Sequence, residues 1–387
     1  MPTYTSSRFS EGNHFFPLEL TVKENLLIIN NPGLIKDETI KIPLNRIKTI
    51  TIHENESEYS EFVIVLENGD IKKCFGFEKD IAPLILTKLN EQIEEIKQQR
   101  QKELEAALSE LNELEGLENL KGKISDFVKL ARYYKETGEN SKLTMNLVFS
   151  GNPGTGKTTV ARLIGKIFKL SGIMESGHLI ECGRQDLVAE FIGQTAPKTE
   201  SILFSALDGI LFIDEAYSLT MIDSKQDFGS EAINTILKFM EDYRGAICII
   251  VAGYPKLMKG FIESNPGLKS RFTHYFEFED YNEENLLNIA KKTFEKEKMI
   301  LGAETEKLLS DHLQKIVMLK DNNFGNARDV RSITDEIIRT YDLRKADELQ
   351  MNGSIKSSNI ITSNDFKNIK NIEQKTGAKK RIGFMPD

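Results

Sequence analysis

The residues with the clearest capacity for chemistry form a glycine-rich segment, GNPGTGKT, at positions 151–158. The apolar run LVFS before it favours a buried strand, and the run from Val160 to Leu170 after it favours a helix. A strand, a glycine-rich loop and a helix in this order bind phosphate, because backbone amides and the helix N-terminus surround the anion. In such a loop Lys157 would contact the β- and γ-phosphates, and the Thr158 hydroxyl would bind Mg²⁺.

The predicted nucleotide-binding set covers the whole loop and the residue that follows it. Its members are Gly151, Asn152, Pro153, Gly154, Thr155, Gly156, Lys157, Thr158 and Thr159. A Gly-Lys-Thr tripeptide is common by chance, but an eight-residue match between a strand and a helix is specific. The segment therefore predicts a bound nucleoside triphosphate, ATP, together with Mg²⁺.

Two carboxylates supply the second half of the predicted chemistry. Asp214 and Glu215 end the apolar run that begins at Gly209, and ligands bind at the carboxyl ends of parallel strands. We expect Asp214 to hold Mg²⁺ through its water shell and Glu215 to orient and polarise an attacking water. Two acids after a strand can also be a simple helix cap, but the phosphate loop upstream favours hydrolysis of the bound nucleotide to ADP and phosphate.

The elements that position these residues follow an α/β pattern. Apolar strands alternate with helices from 117 to 279, which predicts a parallel sheet with helices on both faces. Three helical patterns follow from 282 to 349 and predict a helical lid. The predicted divisions are a β-rich domain at 1–90, a linker helix at 91–115, an α/β subdomain at 116–280, a lid at 281–350 and a tail at 351–387.

The first part of the chain has a different pattern. Five short β-prone segments at 18–22, 26–30, 39–42, 47–53 and 62–66 predict a small antiparallel sheet. Apolar residues then recur every three or four positions from Asp80 to about Leu117, with Arg100 interrupting the stripe, which predicts one long helix. Strands closed by a C-terminal helix resemble a pleckstrin-homology-like (PH-like) layout. The extra length of the helix is either a stalk to the next domain or a plain solvated linker.

Composition excludes several classes of protein. The chain has 387 residues, a net charge of −8 and three widely spaced cysteines. The negative charge argues against a nucleic-acid partner, and three cysteines without metal-ligand spacing favour a reducing compartment. We find no signal peptide and no apolar run long enough to span a bilayer, so we expect a cytoplasmic protein without integral membrane contact.

Longer stretches of the sequence resemble the AAA+ ATPases of the CbbX type, a subgroup that includes red-type rubisco activases and sporulation-protein relatives. The resemblance rests on GNPGTGKTTVARLIGKI, GHLIECGRQDLVAEFIGQTAPKT, GILFIDEAYSL, VAGYPKLMKGFIESNPGLKSRF and FGNARDVRSI. It covers roughly 117–343 and does not extend over the first hundred residues. It implies a homo-oligomeric ring, most often a hexamer, that converts ATP hydrolysis into force on a protein.

The resemblance also implies roles for three arginines. Arg271, in Lys-Ser-Arg-Phe, occupies the place of the family's arginine finger, which a neighbouring subunit inserts to stabilise transition-state charge; the alternative is a surface salt bridge. Arg328, in Gly-Asn-Ala-Arg, matches the sensor-2 arginine of the lid. Arg331 lies on the same predicted helix and is expected to share or dilute that role.

Two further features of the resemblance concern the channel and the catalytic water. Phe191, Ile192 and Gly193 resemble a pore loop that grips extended polypeptide by apolar contact; the alternative is a core Phe-Ile pair before a turn. Tyr254 stands where many relatives place a polar sensor-1 residue that orients the catalytic water. It is a possible sensor-1 residue through its hydroxyl, or that duty lies elsewhere.

The leading hypothesis from the sequence is a ring ATPase that remodels or threads a protein substrate recruited by the N-terminal domain. The second hypothesis is an ATP-dependent assembly switch or scaffold, in which the N-terminal domain binds a partner without threading. A nucleic-acid motor is disfavoured by the acidic composition and the apolar pore loop. The extra N-terminal domain also argues against rubisco as the target, and the sequence does not identify the substrate.

Overall fold

The computed structural model describes residues 3–5, 19–23, 26–31, 38–54, 59–66, 69–139, 144–220, 228–320, 324–352 and 359–367. These residues form two compact units. The first comprises 1–109, 129–143 and 166–175, and the second comprises 110–128, 144–165 and 176–387. The predicted domain boundaries stay predictions, although the change of unit near residue 109 falls within the predicted linker helix.

The first unit contains two antiparallel sheets. One sheet has the order β1 (Thr3–Thr5), β2 (Glu19–Lys23), β3 (Leu26–Asn31), β4 (Glu38–Pro43). The other has the order β5 (Ile47–Glu54), β6 (Tyr59–Leu66), β7 (Ile71–Glu78). The expectation of an N-terminal antiparallel β domain is thus confirmed, and the sequence pattern missed only β1 and β7. β1 is three residues long, and the paired lysines and a glycine in β7 obscure its alternation.

Helix α1 (Ala82–Asn112) closes this unit. Its first three turns bury Ala82, Ile85, Leu89 and Ile93 against apolar residues of both sheets, including Phe62 and Phe77, whose rings meet edge to face. Further along, the Arg100 guanidinium donates to the carbonyl oxygen of Leu170 at 2.7 Å. The arginine that interrupts the apolar stripe therefore caps the C-terminal carbonyls of another helix, where a cation is favourable.

The second unit is built on a five-stranded parallel sheet in the order β12, β8, β11, β10, β9. The strands are β8 (Asn146–Gly151), β9 (Leu179–Cys182), β10 (Ile210–Ile213), β11 (Cys248–Gly253) and β12 (His274–Phe278). The helices around them are α2 (Glu118–Glu136), α3 (Lys157–Leu170), α4 (Arg184–Leu187), α5 (Thr195–Ser205), α6 (Gly229–Asp242), α7 (Pro255–Glu263) and α8 (Pro266–Arg271). This confirms the predicted α/β sheet.

The central strands are buried on both faces. All residues of β10 and β11 are inaccessible or nearly so, which explains their unbroken apolar sequences, ILFI and CIIVAG. Because all five strands are parallel, their carboxyl ends share one edge of the sheet. The phosphate loop follows β8 at this edge, and Asp214 follows β10.

The lid follows the sheet and contains α9 (Glu283–Lys296), α10 (Ala303–Met318) and α11 (Ala327–Asn352). Strand β13 (Ile300–Leu301), between α9 and α10, pairs in parallel with β14 (Ile360–Ile361), which follows α11 in the sequence. Ile361 is buried in the lid core beside Phe294 and Leu309. Residues 359–367 of the predicted tail (351–387) pack on the lid. Residues 353–358 and 368–387 lie outside the described residues.

Two negative findings hold for the described part of the chain. None of its helices combines the length and apolar character that a membrane crossing requires. The three cysteines, Cys74, Cys182 and Cys248, are all buried and unpaired. Burial raises the pKa of the Cys74 and Cys182 thiols to about 12 in each case, so both side chains are packing groups rather than reactive thiolates.

The attachment of residues 359–367 to the lid generates the first prediction. Asp365 is only 1% exposed and accepts from Arg344 at 2.8 and 2.9 Å and from the Thr362 amide at 2.8 Å. Burial raises the pKa of Asp365, but the bonds from Arg344 and Thr362 lower it by more. We expect Arg344→Leu to lower the free energy of unfolding by about 2–4 kcal/mol, because it leaves a buried carboxylate without its cation.

Chemical denaturation at neutral pH would measure this change. Arg339→Leu is the matched control, because Arg339 lies on the same helix in an exposed pair with Glu336 and should change stability by less than about 0.5 kcal/mol. The Asp365 contribution is lost as the pH falls through its depressed pKa, so the deficit of Arg344→Leu should shrink in acid. Equal stabilities of the two variants at neutral pH would contradict the prediction.

Candidate nucleotide site

One cavity of the second unit collects most of the predicted site residues. It is lined by residues of the phosphate loop, of the end of β10, of the start of α7 and of the lid. The predicted residues among them are Gly151, Pro153, Gly154, Gly156, Lys157, Thr158, Thr159, Asp214, Glu215, Tyr254, Arg328 and Arg331. The parallel direction of β8 and β10 explains why the phosphate loop lies close to Asp214 and Glu215. Lid residues line the rest of the cavity.

The phosphate loop directs its lysine into this cavity. Gly156 has a φ of +96°, a conformation that side chains disfavour, and α3 begins directly after it at Lys157. The Lys157 ammonium donates to the carbonyl oxygens of Gly151 at 2.9 Å and Asn152 at 2.8 Å. Burial lowers the pKa of Lys157, Asp214 opposes this effect and Arg328 adds to it, so the net pKa lies below the ordinary value. A bound phosphate would offset the cost of burying the Lys157 ammonium, because the two groups carry opposite charges.

Two residues of the predicted binding loop face away from the cavity. Thr155 is fully buried, and its hydroxyl donates to the carbonyl oxygen of Asn152 at 2.8 Å. The Asn152 amide donates to Asp280 at 2.9 Å. These side chains shape the loop from behind, so any contact they make with a nucleotide would come from their backbone.

The two acids lie beside each other with a constrained backbone. Glu215 has a φ of +49°, and its amide donates to the carboxylate of Asp214 at 3.0 Å. A non-glycine residue in this conformation is uncommon and is typical of functional sites. Tyr217 follows Glu215 by two residues and is buried. Burial and the Glu215 charge raise the pKa of Tyr217 to about 12, so its hydroxyl stays protonated at neutral pH.

Tyr254, the possible sensor-1 residue, lines the same cavity at the N-cap of α7. Its ring centroid lies 6.1 Å from that of Tyr217. The sensor-1 assignment stays a prediction, and Tyr217 is a second phenol next to Tyr254 that the sequence pattern did not single out. Its position two residues after Glu215 is the signal that was available.

The lid contributes cations and the segment before α2 contributes anions. Arg328 and Arg331 line the cavity from the first turns of α11, and Lys292 and Lys296 line it from α9. The Lys292 ammonium pairs with Glu115 at 2.5 Å and donates to the carbonyl oxygen of Glu113 at 2.6 Å.

The sequence pattern did not single out the remaining part of the cavity lining. It includes Glu113, Leu114, Glu115, Tyr281, Ile289, Lys292, Thr293 and Lys296. Leu114 and Ile289 give it an apolar surface, which suits the flat base of a nucleotide. No sequence pattern singles these residues out, because they come from the end of a linker and from one face of an amphipathic helix.

Arg271 lies outside this cavity. It ends α8 and pairs with Glu241 at 3.2 Å, with its side chain 31% exposed. Its Nε atom is buried and has no hydrogen-bond partner. Arg271 therefore does not act on the cavity of its own chain in this conformation, which leaves both the role toward a neighbouring subunit and the surface salt bridge open.

The predicted pore loop is exposed at its tip and anchored at its base. Phe191 is 65% exposed, Ile192 is 77% exposed, and Gly193 has a φ of +79°. These values exclude the alternative of a core Phe-Ile pair within this chain.

Side chains of α5 hold the base of that loop. Thr195 accepts from the amide of Ala189 at 3.1 Å, and the Thr199 hydroxyl donates to the carbonyl of Leu187 at 2.9 Å. The Lys198 ammonium donates to the carbonyls of Gln185 and Val188. The tip thus projects two apolar side chains from a rigid base.

Comparison with known protein families supports this assignment of the cavity. Residues 147–280 match the model of the ATPase family associated with various cellular activities (AAA), and residues 282–377 match the AAA lid domain. The boundary between the two matches falls at the segment that joins β12 to α9.

Curated relatives cover the same part of the chain. Stage V sporulation protein K of Bacillus subtilis is 45% identical over 52% of this chain and 63% of its own length. The chloroplastic ribulose bisphosphate carboxylase/oxygenase activase of Cyanidioschyzon merolae is 44% identical over 49% of this chain and 64% of its own length. The chain thus spans slightly less than two thirds of these two relatives.

A third relative, the CfxQ homolog of Pyropia yezoensis, is 37% identical over 63% of this chain and 77% of its own length. With an identity of this size across most of a full-length relative, the chain belongs to the AAA+ ATPases of the CbbX/CfxQ type.

Proposed function

We propose that this protein is a ring-forming ATPase that uses ATP hydrolysis to remodel a protein substrate by partial threading through a central pore. The observation that carries the proposal is the convergence of Lys157, Glu215 and Arg328 on one cavity. Each comes from a different element, and together they provide a phosphate contact, a base and a cation of the lid.

The residues of the cavity fit a magnesium nucleotide. Thr158 and Asp214 line it together, and a hydroxyl and a carboxylate are the oxygen ligands that Mg²⁺ accepts beside phosphate and water. Bound Mg²⁺ would neutralise charge on the phosphates. Glu215, which lines the same cavity, would orient and polarise the attacking water. Arg328 would respond to the γ-phosphate and pass the nucleotide state to α11.

Hydrolysis in this proposal needs a second subunit. Arg271 is held by Glu241 outside its own cavity, which supports its role as a finger delivered to a neighbour. A guanidinium that enters the neighbour's site stabilises the charge that develops on the transferred phosphoryl group. A closed ring, which we propose to be a hexamer, would give every site one such finger.

The exposed apolar tip at Phe191 and Ile192 supports polypeptide as the substrate. Apolar contacts grip a chain regardless of its sequence, and the anchored base would transmit movement of the α/β core to the tip. The name of one relative specifies rubisco, but that target does not transfer to this chain. We propose a protein substrate whose identity is set by recruitment.

Recruitment is the proposed role of the first unit. Its strands form sheets of four and three, and α1 closes them around a separate apolar core. This arrangement supports the PH-like layout and a peptide- or protein-binding role. The same observation favours the second candidate function, an assembly switch in which this unit binds a partner and ATP controls only oligomerisation.

The first test is the solution mass of Glu215→Gln, measured by light scattering with and without Mg-ATP. This variant should bind ATP without hydrolysing it and trap the assembly that ATP favours. We expect a shift from the 43.9 kDa protomer to about six times that mass. A monomer or dimer at saturating ATP would remove the threading mechanism and favour a nucleotide-dependent switch.

A subunit-mixing experiment tests the finger. Arg271→Ala and Glu215→Gln should each lower the ATPase rate by at least about 100-fold, because each removes transition-state stabilisation. A 1:1 mixture should recover about a quarter of the wild-type rate, since that share of interfaces in a randomly mixed ring has both residues intact. Mixing Arg271→Ala with the double variant Glu215→Gln/Arg271→Ala is the control and should recover nothing. An inactive 1:1 mixture would contradict action between subunits.

The pore loop is tested with fluorescently labelled casein as an unfolded polypeptide. We expect casein to stimulate ATP hydrolysis by the wild type, and Phe191→Ala to reduce the ratio of stimulated to unstimulated rate to about one. Tyr275→Ala is the matched control, because Tyr275 is an aromatic of similar exposure on β12. Full stimulation of Phe191→Ala would show that the loop does not grip polypeptide.

A further inference from the structure

A buried asparagine of the lid contacts the phosphate loop directly. Asn326 is fully buried and has a φ of +51°, which places it in a tight turn immediately before α11. Its amide nitrogen donates to the carbonyl oxygen of Pro153 at 3.2 Å and to Asp280 at 2.9 Å. Its side-chain oxygen accepts from the amide of Tyr281 at 2.9 Å. One side chain therefore joins the lid, the phosphate loop and the segment between β12 and α9.

Asp280 links the same three pieces from the other side. Its Oδ1 atom accepts from the Asn152 amide at 2.9 Å as well as from Asn326. Partial burial raises the pKa of Asp280, but the two amide bonds and the nearby Lys320 ammonium lower it by more, so the group stays ionised at neutral pH. The Tyr281 hydroxyl next to it donates to the carbonyl of Thr155 at 3.2 Å.

The backbones of the loop and the lid turn are also in contact. The amide of Ala327 donates to the carbonyl of Gly154 at 3.2 Å. A Cβ atom at Gly154 would lie 2.0 Å from the carbonyl oxygen of Gly325, so only glycine permits this approach. The loop and the lid turn therefore fit together as one surface.

We infer that Asn326 and Asp280 are positioning residues that latch the lid turn onto the phosphate loop before nucleotide binds, and so place Arg328 in the cavity in advance. This inference rests on the proposed ATPase function and deepens it. Arg328 follows Asn326 by two residues, and its amide donates to the carbonyl of Gly325 within the latched turn. Loss of the Asn326 and Asp280 bonds would move Arg328 out of the cavity and, at the same time, remove contacts that hold the phosphate loop.

The latch also explains how the segment between strand and lid acts on the site. Asp280 and Tyr281 lie between the last strand of the sheet and the first helix of the lid, and both bond to the phosphate loop or to a residue that does. A rotation of the lid about this segment therefore has to stretch bonds to the loop.

The substitution that isolates the latch is Asn326→Gly. Glycine adopts the φ of +51° without strain, so the variant removes the side-chain bonds and keeps the turn. Lys320→Ala is the matched control, because it removes only the exposed 3.5 Å pair with Asp280. Asp280→Asn serves as a second variant that retains the shape and removes the charge.

Hydrogen exchange of the nucleotide-free full chain gives the first readout. The amide of Ala327 keeps its acceptor, Gly154, in every variant, so faster exchange reports separation of the turn from the loop. We expect exchange in Asn326→Gly to be at least about tenfold faster than in the wild type, a smaller increase in Asp280→Asn, and less than a twofold change in Lys320→Ala. Amides of β11 should exchange equally in all four proteins.

Binding of a fluorescent ATP analogue gives the second readout, through a double-mutant cycle with Arg328→Ala. In the wild-type background this substitution should weaken binding by about tenfold, and in the Asn326→Gly background by less than about twofold, because Arg328 is then no longer held in place. A merely structural role for Asn326 would leave the two effects equal.

Equal effects in both backgrounds, or wild-type exchange at Ala327 in Asn326→Gly, would overturn the latch. The proposed function fails separately, if the wild type binds the analogue but does not hydrolyse ATP. The exchange measurement needs no nucleotide and decides the latch in either case.

Discussion

The amides of a phosphate loop have to point at an anion, and this leaves the loop without the backbone ladder that stabilises a strand or a helix. In this protein the carbonyl groups of the loop instead accept hydrogen bonds from donors in neighbouring elements. The carbonyls of Gly151 and Asn152 accept from Lys157, that of Pro153 accepts from Asn326, and those of Gly154 and Thr155 accept from Ala327 and Tyr281. Each of these donors belongs to α3, to the lid or to the segment between sheet and lid. The loop is therefore shaped by α3, by the lid and by the segment between sheet and lid.

This arrangement explains why the sheet and the lid form one site. The sheet supplies Asp214 and Glu215 through the carboxyl end of β10, where strand direction alone brings them to the loop. The lid supplies Arg328 and Arg331 from a helix whose first turn rests on Gly154. A change in either the loop or the lid turn has to be accommodated by the other, because the approach at Gly154 leaves no free space.

The parts predicted from sequence are those in which residue type alone specifies the role. GNPGTGKT and the acids after ILFI need only a strand before them, and the structure brings both to one cavity. Asn152 and Thr155 were predicted as binding residues with the rest of the loop, yet their side chains face Asp280 and the loop itself. Their partners come from residues more than a hundred positions away or from the loop's own fold, and no local pattern encodes that. Local sequence also does not reveal the role of Arg100. It interrupts an apolar stripe, and its partner is a carbonyl group at the C-terminal end of α3.

The two predicted catalytic arginines occupy different environments, and this difference supports the proposed ring. Arg328 lines the cavity of its own chain, close enough to Lys157 for its charge to lower the pKa of that lysine. Arg271 ends a helix outside that cavity and is held by Glu241, with a buried Nε atom that has no partner. A buried donor without an acceptor is costly, so Arg271 would gain from an additional acceptor. A γ-phosphate on an adjacent subunit is such an acceptor, and it would draw Arg271 away from Glu241 only when ATP is bound next door. Assembly and nucleotide state would then be coupled through a single side chain.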